Sequence, residues 1–448
     1  MPEMQREHLF KIFFRYVSLN ILATVGLSCY ILADTFFIAN AMGTDGLAAL
    51  NLVLPVFNLI FGFGLMFGIG GGTRYAIQRA QNRISDANQT FTRVVILTLG
   101  ISVILEILGI FGTRQVCELL GAEGSALDLA TEYLHVIFAF GPLFVFNNVF
   151  QSFTRNDGAP NLAMIAMLVA SFANIGMDYI LIYPLDLGML GAALATGVSP
   201  GISLLILSTH IWKKRNGFHL EKCRSRVRHF GDICALGLSS LLTEFSTGIV
   251  ILIFNLAILD LAGNSGVAAY GVIANLAIVA IAVFTGIAQG SQPILSTFHG
   301  KADPESVGKV LRWGIMTTVG LAVILYLFLV IFKDPCIALF NKENDPLLAE
   351  LAAEGFPIYF AGLFFASANI VFAGYFSAVE QPVKSMVITI VRGCIAIIPL
   401  VLIFAKIMGM TGVWSAFPAA ELIAVLIALF FVRKTNTGRR SPQNQPLS

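Results

Sequence analysis

The chain has 448 residues, of which 57% are hydrophobic and only 12% are charged, with a mean hydropathy of +0.82 and a net charge of +2. Soluble globular proteins carry about a quarter charged residues, so this composition excludes an ordinary soluble enzyme and indicates a polytopic membrane protein. The basic residues follow membrane topology rather than one surface, which argues against a nucleic-acid partner. We therefore expect the lipid bilayer to be the surrounding medium.

The apolar segments have the length of helices rather than the roughly ten-residue alternation of an outer-membrane barrel. Because a membrane-crossing helix needs about 20 apolar residues, the pattern predicts an all-α polytopic membrane protein with twelve transmembrane helices. The predicted spans are 13–40, 47–73, 93–113, 129–153, 160–183, 189–212, 231–259, 266–291, 312–332, 351–378, 383–405 and 410–432.

Lysine and arginine decide which side of the membrane each loop occupies, because cytoplasmic loops are enriched in both. Twelve spans put both termini on one side, and that side holds 23 basic residues against four on the other. Seven of the 23 lie within 213–228, whereas the other side has only Arg114, Lys333, Lys342 and Lys406. We predict a multi-pass protein of the cell (inner or plasma) membrane with both termini in the cytoplasm.

The two halves of the chain repeat one another. Gly46-Leu-Ala-Ala recurs 220 positions later as Gly266-Val-Ala-Ala, and Pro160 recurs 222 positions later as Pro382. Six helices per half is an even number, so both copies enter the membrane from the same side and form two bundles related as parallel internal repeats. We predict an N-terminal six-helix lobe at 1–212, a cytoplasmic basic linker at 213–230, a C-terminal six-helix lobe at 231–434 and a disordered cytoplasmic tail at 435–448.

Polar side chains within apolar spans mark the candidate site. Asp34 lies in the first span, and Asn174 and Asp178 lie four residues apart in the fifth, so they share a helix face. At 1.5 Å per residue, Asp34, Asp178 and Thr196 fall roughly 9–12 Å below the outer boundary. Intramembrane carboxylates are costly unless they face a partner or a water-filled cavity. We predict that these four residues form one ion-coupling site, the alternative being that each aspartate is merely satisfied by neighbouring groups.

The second half does not repeat this pattern. By the repeat offsets, the positions that match the four site residues are Phe254, Ala396, Leu400 and Phe417. A repeated scaffold alone would not place acids on one side only, so the asymmetry favours function. The second half has its own polar residues within spans, and we predict that Glu244 and Asn275 face a substrate cavity and that Arg392 and Glu421 form a structural ion pair.

Several stretches together resemble the multidrug and toxin extrusion (MATE) family, in its bacterial branch. They are Ala33-Asp-Thr-Phe-Phe-Ile-Ala-Asn, Thr44-Asp-Gly-Leu-Ala-Ala-Leu, Arg155-Asn-Asp-Gly-Ala-Pro, Asn174-x3-Asp178, Gly191-Ala-Ala-Leu-Ala-Thr and Gln289-Gly-Ser-Gln-Pro-Ile-Leu. The resemblance covers nearly the whole chain and implies export of organic cations and other toxic amphiphiles in exchange for protons or sodium ions. It implies that the four site residues match the family's ion-binding residues, and that Tyr133 matches a nearby member of the same polar network. We also count Tyr133, with Glu244 and Asn275, among the polar residues of the substrate cavity.

The sequence departs from the family at two points. Ser18-Leu-Asn stands where family members often carry a proline early in the first helix, and the span from Tyr359 to Ser377 lacks the aspartate of some members. Glu244 is therefore the main acidic candidate of the second half. The coupling ion stays open, because the site could carry H⁺ or hold Na⁺ at Asp34, Asn174, Asp178 and Thr196. We expect protons, since two acids in one buried pocket resist ionising together.

Other functions remain open at this stage. Some relatives of this fold move lipid-linked precursors, but such a flippase favours a strongly basic cavity, and only Arg392 is plainly intramembrane here. A membrane-embedded enzyme would need a nucleophile, a base or a metal cluster, and no such signature stands out. A channel fits poorly with two repeats and a one-sided acid pair. We therefore expect a transporter with no cofactor, acting on small amphiphilic or cationic molecules.

Overall fold

A computed structural model describes residues 2–223, 226–341 and 345–439, and within these ranges the chain is helical without β-strands. The helices are α1 (Pro2–Ala80), α2 (Ile84–Phe111), α3 (Thr113–Leu119), α4 (Gly124–Ala139), α5 (Gly141–Asn156), α6 (Pro160–Ile182), α7 (Gly188–Trp212), α8 (Val227–Gly300), α9 (Pro304–Ile331), α10 (Lys333–Phe340), α11 (Pro346–Ala361), α12 (Leu363–Ala378), α13 (Pro382–Ile390) and α14 (Ile397–Arg439). A π-helical turn, Val391–Ile395, precedes α14. The all-α polytopic fold that the sequence predicts is confirmed.

Eight helical segments of the described chain are long and apolar enough to cross a membrane. Two bent pairs, α4 with α5 and α11 with α12, bring the number to ten. Two of these ten, Val227–Gly300 and Pro382–Thr435, contain a break and reverse direction. In the first, Phe254 stacks on Tyr270 with ring centroids 4.9 Å apart, although 16 residues of straight helix would separate them by about 24 Å. Counting both reversals, the described residues make the twelve predicted crossings.

Four tight turns, which share a Gly-x-x-Gly sequence, join crossings at one side of the protein. Their first glycines have positive φ values of 63°, 53°, 59° and 62°, at Gly43, Gly188, Gly263 and Gly409. At Gly43 ψ is −146°, a backbone region that essentially only glycine occupies. A Cβ on the second glycine, Gly46, would lie 2.5 Å from the Cβ of Met42. These turns define the hairpin side, and the opposite side, where the N-terminal end of α1 lies, is called the terminal side.

The turns support the internal repeat, because Gly43 matches Gly263 at an offset of 220 and Gly188 matches Gly409 at 221. Two hydrophobic cores follow the same division. One is built from residues 38–193 with Phe218 and Ile233, and the other from residues 254–420. Each half thus surrounds its own core, which supports the proposed lobes at 1–212 and 231–434.

The two halves exchange helix ends on the terminal side. Leu9 and Phe13 of α1 pack in a third core with residues 287–428, and Ile233 of α8 packs in the core of the first half. The helices approach closely there, since a Cβ at Gly290 would lie 2.8 Å from the backbone oxygen of Tyr16. Close packing of this kind closes the terminal side.

The segment between α7 and α8 is anchored to the first half. Phe218 is buried among aromatic rings of that half, and the Gly217 amide donates to Asp157 Oδ2 at 2.7 Å. The linker predicted at 213–230 ends earlier, because α8 begins at Val227. The predicted disordered tail also begins too early, since α14 runs to Arg439, and positions 440–448 lie outside the described residues.

Candidate functional site

The four site residues come together inside the first half. Asp34 lies on α1, Asn174 and Asp178 on α6, and Thr196 on α7, and all four are buried. The α6 and α7 helices form the arms of the hairpin that turns at Gly188, so residues 22 positions apart meet side by side. The sequence-based placement of these residues at one depth agrees with this geometry.

A hydrogen-bond chain links α6 to α7. With its amide nitrogen facing Asp178, Asn174 donates to Asp178 Oδ2 at 3.1 Å and accepts from the Thr196 amide at 3.3 Å. The end of the Asn174 amide that faces Thr196 also lies 3.5 Å from Thr196 Oγ1. Tyr133 of α4 hydrogen bonds the Thr196 side chain and adds a third helix to this chain of hydrogen bonds. Tyr133 therefore lies beside the four site residues, where the resemblance places it, and it does not line the cavity between the halves that was also predicted for it.

Both aspartates keep an oxygen free for a ligand. The Oδ1 atoms of Asp34 and Asp178 are buried and have no hydrogen-bond partner among the described residues. The two carboxylates also lie close enough to interact electrostatically. Buried carboxylate oxygens are normally hydrogen-bonded to protein or water, so these two oxygens are exceptions within the described chain.

Sequence reasoning missed Tyr30. It lies one helical turn before Asp34, is buried, and lies within electrostatic reach of both aspartates. Tyr30 also lines a cavity of about 30 Å³, together with Asn147 and several serine side chains. That volume holds one water molecule. The i, i+4 spacing from Asp34 was the available signal, because it places both side chains on one helix face.

A separate cavity lies between the two halves and has two connected chambers. The first, of about 120 Å³, is lined by α1, α5, α8, α12, α13 and the π-helical turn. The second, of about 140 Å³, lies in the second half only. The chambers share Thr243, Ile281, Thr389 and Arg392. Their walls are mainly apolar with a few polar groups, the usual character of a site for small organic ligands.

Glu244 lines the first chamber, and its carboxylate has no ion pair or hydrogen bond among the described residues. The side chain lies beside α1, where a Cβ on Gly62 would be 3.3 Å from the Cβ of Glu244. Asn275 is different. It is half-buried on α8 and lines neither chamber, although its neighbour Ala274 lines the second.

The predicted ion pair of the second half is confirmed. Arg392 binds Glu421 through two nitrogens, with Nη2 2.6 Å and Nε 3.0 Å from Glu421 Oε1. Asn369 donates to Glu421 Oε2 at 2.7 Å. Arg392 sits in the π-helical turn, a distortion that is frequent at functional sites. Both charges are satisfied by each other, so neither is free to hold a ligand charge.

Polar contacts join the halves on the terminal side of the cavity. Thr24 Oγ1 donates to the Ala282 oxygen at 2.8 Å, and Asn156 Nδ2 donates to Gln292 Oε1 at 3.2 Å. Arg74 of α1 forms an ion pair with Glu380, which follows α12. The described contacts therefore seal the terminal side, beyond the floor of the cavity.

Bacterial export proteins match almost the whole chain. The "Multidrug export protein MepA" of Staphylococcus saprophyticus subsp. saprophyticus is 28% identical over 407 residues, covering 90% of this chain and 89% of that protein. The protein of the same name from Staphylococcus aureus is 26% identical over the same coverage.

The structural and family comparisons agree. A solved structure described as the outward-facing conformation of a multidrug resistance MATE family transporter matches with a TM-score of 0.90 and 24% identity, over 96% of both chains. That likeness shows the fold. The sequence profile of the MatE family matches residues 20–180 and 239–403, one match in each half and most of the chain. The chain therefore belongs to the MatE family, the multidrug and toxin extrusion transporters.

Proposed function

We propose that this protein is a cation-coupled antiporter, driven by protons, that exports organic cations and other amphiphilic molecules by alternating access. The observation that carries the proposal is the pair of buried aspartates in the first half, each with a carboxylate oxygen that lacks a partner among the described residues. Ion and cargo occupy different places, since the pair lies in the first half and the cavity lies between the halves. Separate sites allow the protein to exchange the coupling ion for the cargo.

The donor set favours a proton over sodium. In the orientation that satisfies both ends of the Asn174 amide, its nitrogen donates to Asp178, and this arrangement suits a site that carries a proton. A proton placed on one carboxylate needs only a neighbouring acceptor, which the second carboxylate supplies. Two close carboxylates sharing one proton is a common arrangement, because both cannot easily be ionised together.

The cavity supports a cationic, amphiphilic cargo. Glu244 supplies a carboxylate without an ion pair among the described residues, and the isoleucine side chains at 69, 281 and 370 supply apolar walls. An organic cation desolvated in such a chamber gains from the charge and from apolar contact. The names of the staphylococcal relatives, which are multidrug export proteins, point the same way.

The sealed terminal side corresponds to the cytoplasm in this proposal, because the basic residues of the sequence concentrate there. The cavity then opens outward, towards the hairpin side, in a protein of the plasma membrane. In that state a proton loads the aspartate pair and the cargo leaves. Release of the proton to the cytoplasm follows when the contacts on the terminal side open.

Everted membrane vesicles test the coupling. Ethidium should accumulate in vesicles that contain the transporter when an acid-inside proton gradient is imposed without sodium, and a protonophore should abolish the uptake. Accumulation that runs only on a sodium gradient, with the pH equal on both sides, would make sodium the coupling ion. Vesicles that take up none of a panel of organic cations under either gradient, with the protein correctly inserted, would refute the antiport proposal.

A further inference from the structure

Arg155 is a buried cation at the floor of the first chamber. The sequence places it near the end of the fourth predicted span, where it counts as a cytoplasmic loop charge. In the structure its side chain is 5% exposed and lines the same chamber as Glu244. The guanidinium therefore faces the interior between the halves rather than the aqueous surface.

The guanidinium has neutral partners only. Its Nη1 donates to Asn20 Oδ1 at 2.9 Å and to Gln289 Oε1 at 2.7 Å. The Nε atom is buried without a hydrogen-bond partner, and no carboxylate of the described residues forms an ion pair with Arg155. Arg392, on the same chamber wall, differs because Glu421 neutralises it. Burying a charge is costly unless an opposite charge compensates it, so Arg155 marks an unfilled anion position.

Glu244 does not fill that position. Its Cβ lies beside Gly62 of α1, whereas Asn156, next to Arg155, lies beside Gly72, where a Cβ would be 2.7 Å from the Asn156 amide nitrogen. Gly62 and Gly72 are ten residues apart on α1, so the positions of Glu244 and Asn156 along that helix differ by about 15 Å. One chamber of the described chain thus holds an unpaired acid and an unpaired base at different depths, with the apolar side chains of Leu65 and Ile69 on α1 between those levels.

We propose that Arg155 forms an anion subsite for cargo, which selects for amphiphiles that carry a carboxylate as well as a cationic group. Such a molecule places its carboxylate on Arg155 at the floor, its ammonium group near Glu244 and its apolar body between them. This inference rests on the proposed export function and adds a second charge preference to it. Nη1 already donates to Asn20 and Gln289 and Nε is enclosed, so Nη2 is the guanidinium nitrogen left to donate to a cargo carboxylate. A hydrogen bond between two charged groups is stronger than one between neutral groups.

Two rival roles for Arg155 lead to different outcomes. If it serves only to tie α1, α5 and α8 together, its loss affects every cargo alike. If it holds a chloride ion, export of every cargo depends on chloride. A carboxylate subsite alone discriminates between cargoes that differ only in a carboxylate.

Rhodamine 110, which carries a free carboxylate, and its methyl ester rhodamine 123 provide that pair of probes. We expect vesicles with the wild-type protein to transport both dyes. Arg155→Gln should lower transport of rhodamine 110 at least tenfold more than that of rhodamine 123, and Arg155→Lys should restore part of the difference because it keeps the charge. Gln289→Leu is the matched control, since it removes one hydrogen-bond partner of Arg155 but not the charge. It should lower the transport of both dyes by the same factor.

The outcomes separate this inference from the proposed function. Transport of rhodamine 123 without any change of the dye ratio in Arg155→Gln would overturn the anion subsite and leave export intact. Equal dependence of both dyes on chloride, tested by replacement with gluconate, would also overturn it. Transport of neither dye, nor of ethidium, by the wild-type protein would instead count against export itself. If Arg155→Gln fails to fold, the dye ratio measured for Arg155→Lys against Gln289→Leu decides between the three roles.

Discussion

The two halves share a scaffold but differ at the positions of the candidate ion site. In the first half these positions carry carboxylates, an amide and a hydroxyl, all buried. In the second half the positions of Asp34 and Thr196 are occupied by Phe254 and Phe417. Phe254 stacks on Tyr270, and Phe417 stacks on Tyr359 with centroids 4.5 Å apart. One pocket is polar with unsatisfied oxygens, and its counterpart is an aromatic core.

A second exchange of side chains accompanies the first. Tyr133 corresponds to Gly355, and Ala193 corresponds to Trp414, by the offsets of 222 and 221. A Cβ on Gly355 would lie 2.8 Å from the Trp414 ring, so the indole fills the space that a tyrosine occupies in the other half. The fold therefore needs that volume filled but does not need it polar. Acids retained in one half only are explained better by coupling than by architecture.

The strongest test of this comparison removes the charge from the polar half. Asp178→Asn and Asp34→Asn preserve shape and cannot carry a proton, so each should reduce dye export to the level of vesicles without transporter. Amounts of protein in the membrane should stay near wild type, because asparagine is nearly isosteric. Export is measured as ethidium accumulation under an imposed proton gradient.

The matched control for these variants is Asp260→Asn. Asp260 is exposed on α8 near the hairpin side, so losing its charge should leave export near the wild-type rate. If both Asn variants of the buried pair still pump, the ion site lies elsewhere. If all three lose export equally, the assay reports a general loss of charge rather than a site.

The second test puts a charge into the aromatic half. Phe254→Asp loses the stacking on Tyr270 and buries an unpaired carboxylate, so we expect a loss of about 3–5 kcal/mol in free energy of unfolding, the usual range for a large-to-small change at a buried phenylalanine. Thermal unfolding in detergent measures it. Phe254→Leu is the control, and it should cost under about 1.5 kcal/mol because it stays apolar. Equal stability of Phe254→Asp and wild type would mean that this pocket tolerates polarity, and the comparison would fail.

The third test concerns the acid that the second half keeps in the cavity without an ion pair among the described residues. Glu244→Gln should weaken transport of organic cations about tenfold, equivalent to about 1.4 kcal/mol, and affect a neutral amphiphile less. The reason is that the carboxylate interacts with the charge of the cargo and not with its apolar body. Competition between a cationic and a neutral dye measures the difference. An equal loss for both dyes would assign Glu244 to coupling or folding.

Sequence patterns predict the parts of this molecule that depend on bilayer physics. Span number, helical class and the repeat follow from segment length and from glycine and proline positions, since lipid leaves few ways to satisfy a backbone. The grouping of Asp34 with Asp178 also follows, because a polar side chain in an apolar helix has few tolerable places.

What the sequence does not predict depends on contacts between elements distant in the chain. Arg155 has the pattern of a loop charge because it lies at a span end, and only the approach of α1 and α8 buries it. Tyr30 resembles an ordinary aromatic residue of an apolar helix. The prediction that Asn275 faces the cavity rests on polarity alone, yet the rotation of α8 turns its neighbour towards the second chamber instead.

The smallest expected effect concerns the ion pair between Arg74 and Glu380, which joins the two halves and depends on pH. Glu380, at the repeat position of Gly158, lies 3.8 Å from His299 Nε2 and pairs with Arg74, and these two groups hold the pKa of its carboxyl below the usual range. A carboxyl with a lowered pKa stabilises the folded state above its unfolded pKa of about 4.3, and the stabilisation is lost as the pH falls through the lower, folded value. Glu380→Gln should therefore unfold at a lower temperature than wild type near pH 6, and the gap should close as the pH falls below about 4. Because Glu380 is partly exposed, we expect less than about 1 kcal/mol. Glu305→Gln, which breaks an ion pair with Lys309 within one half, is the control for net charge. If the difference in unfolding temperature between Glu380→Gln and wild type stays constant across this pH range, the Glu380 charge does not hold the halves together.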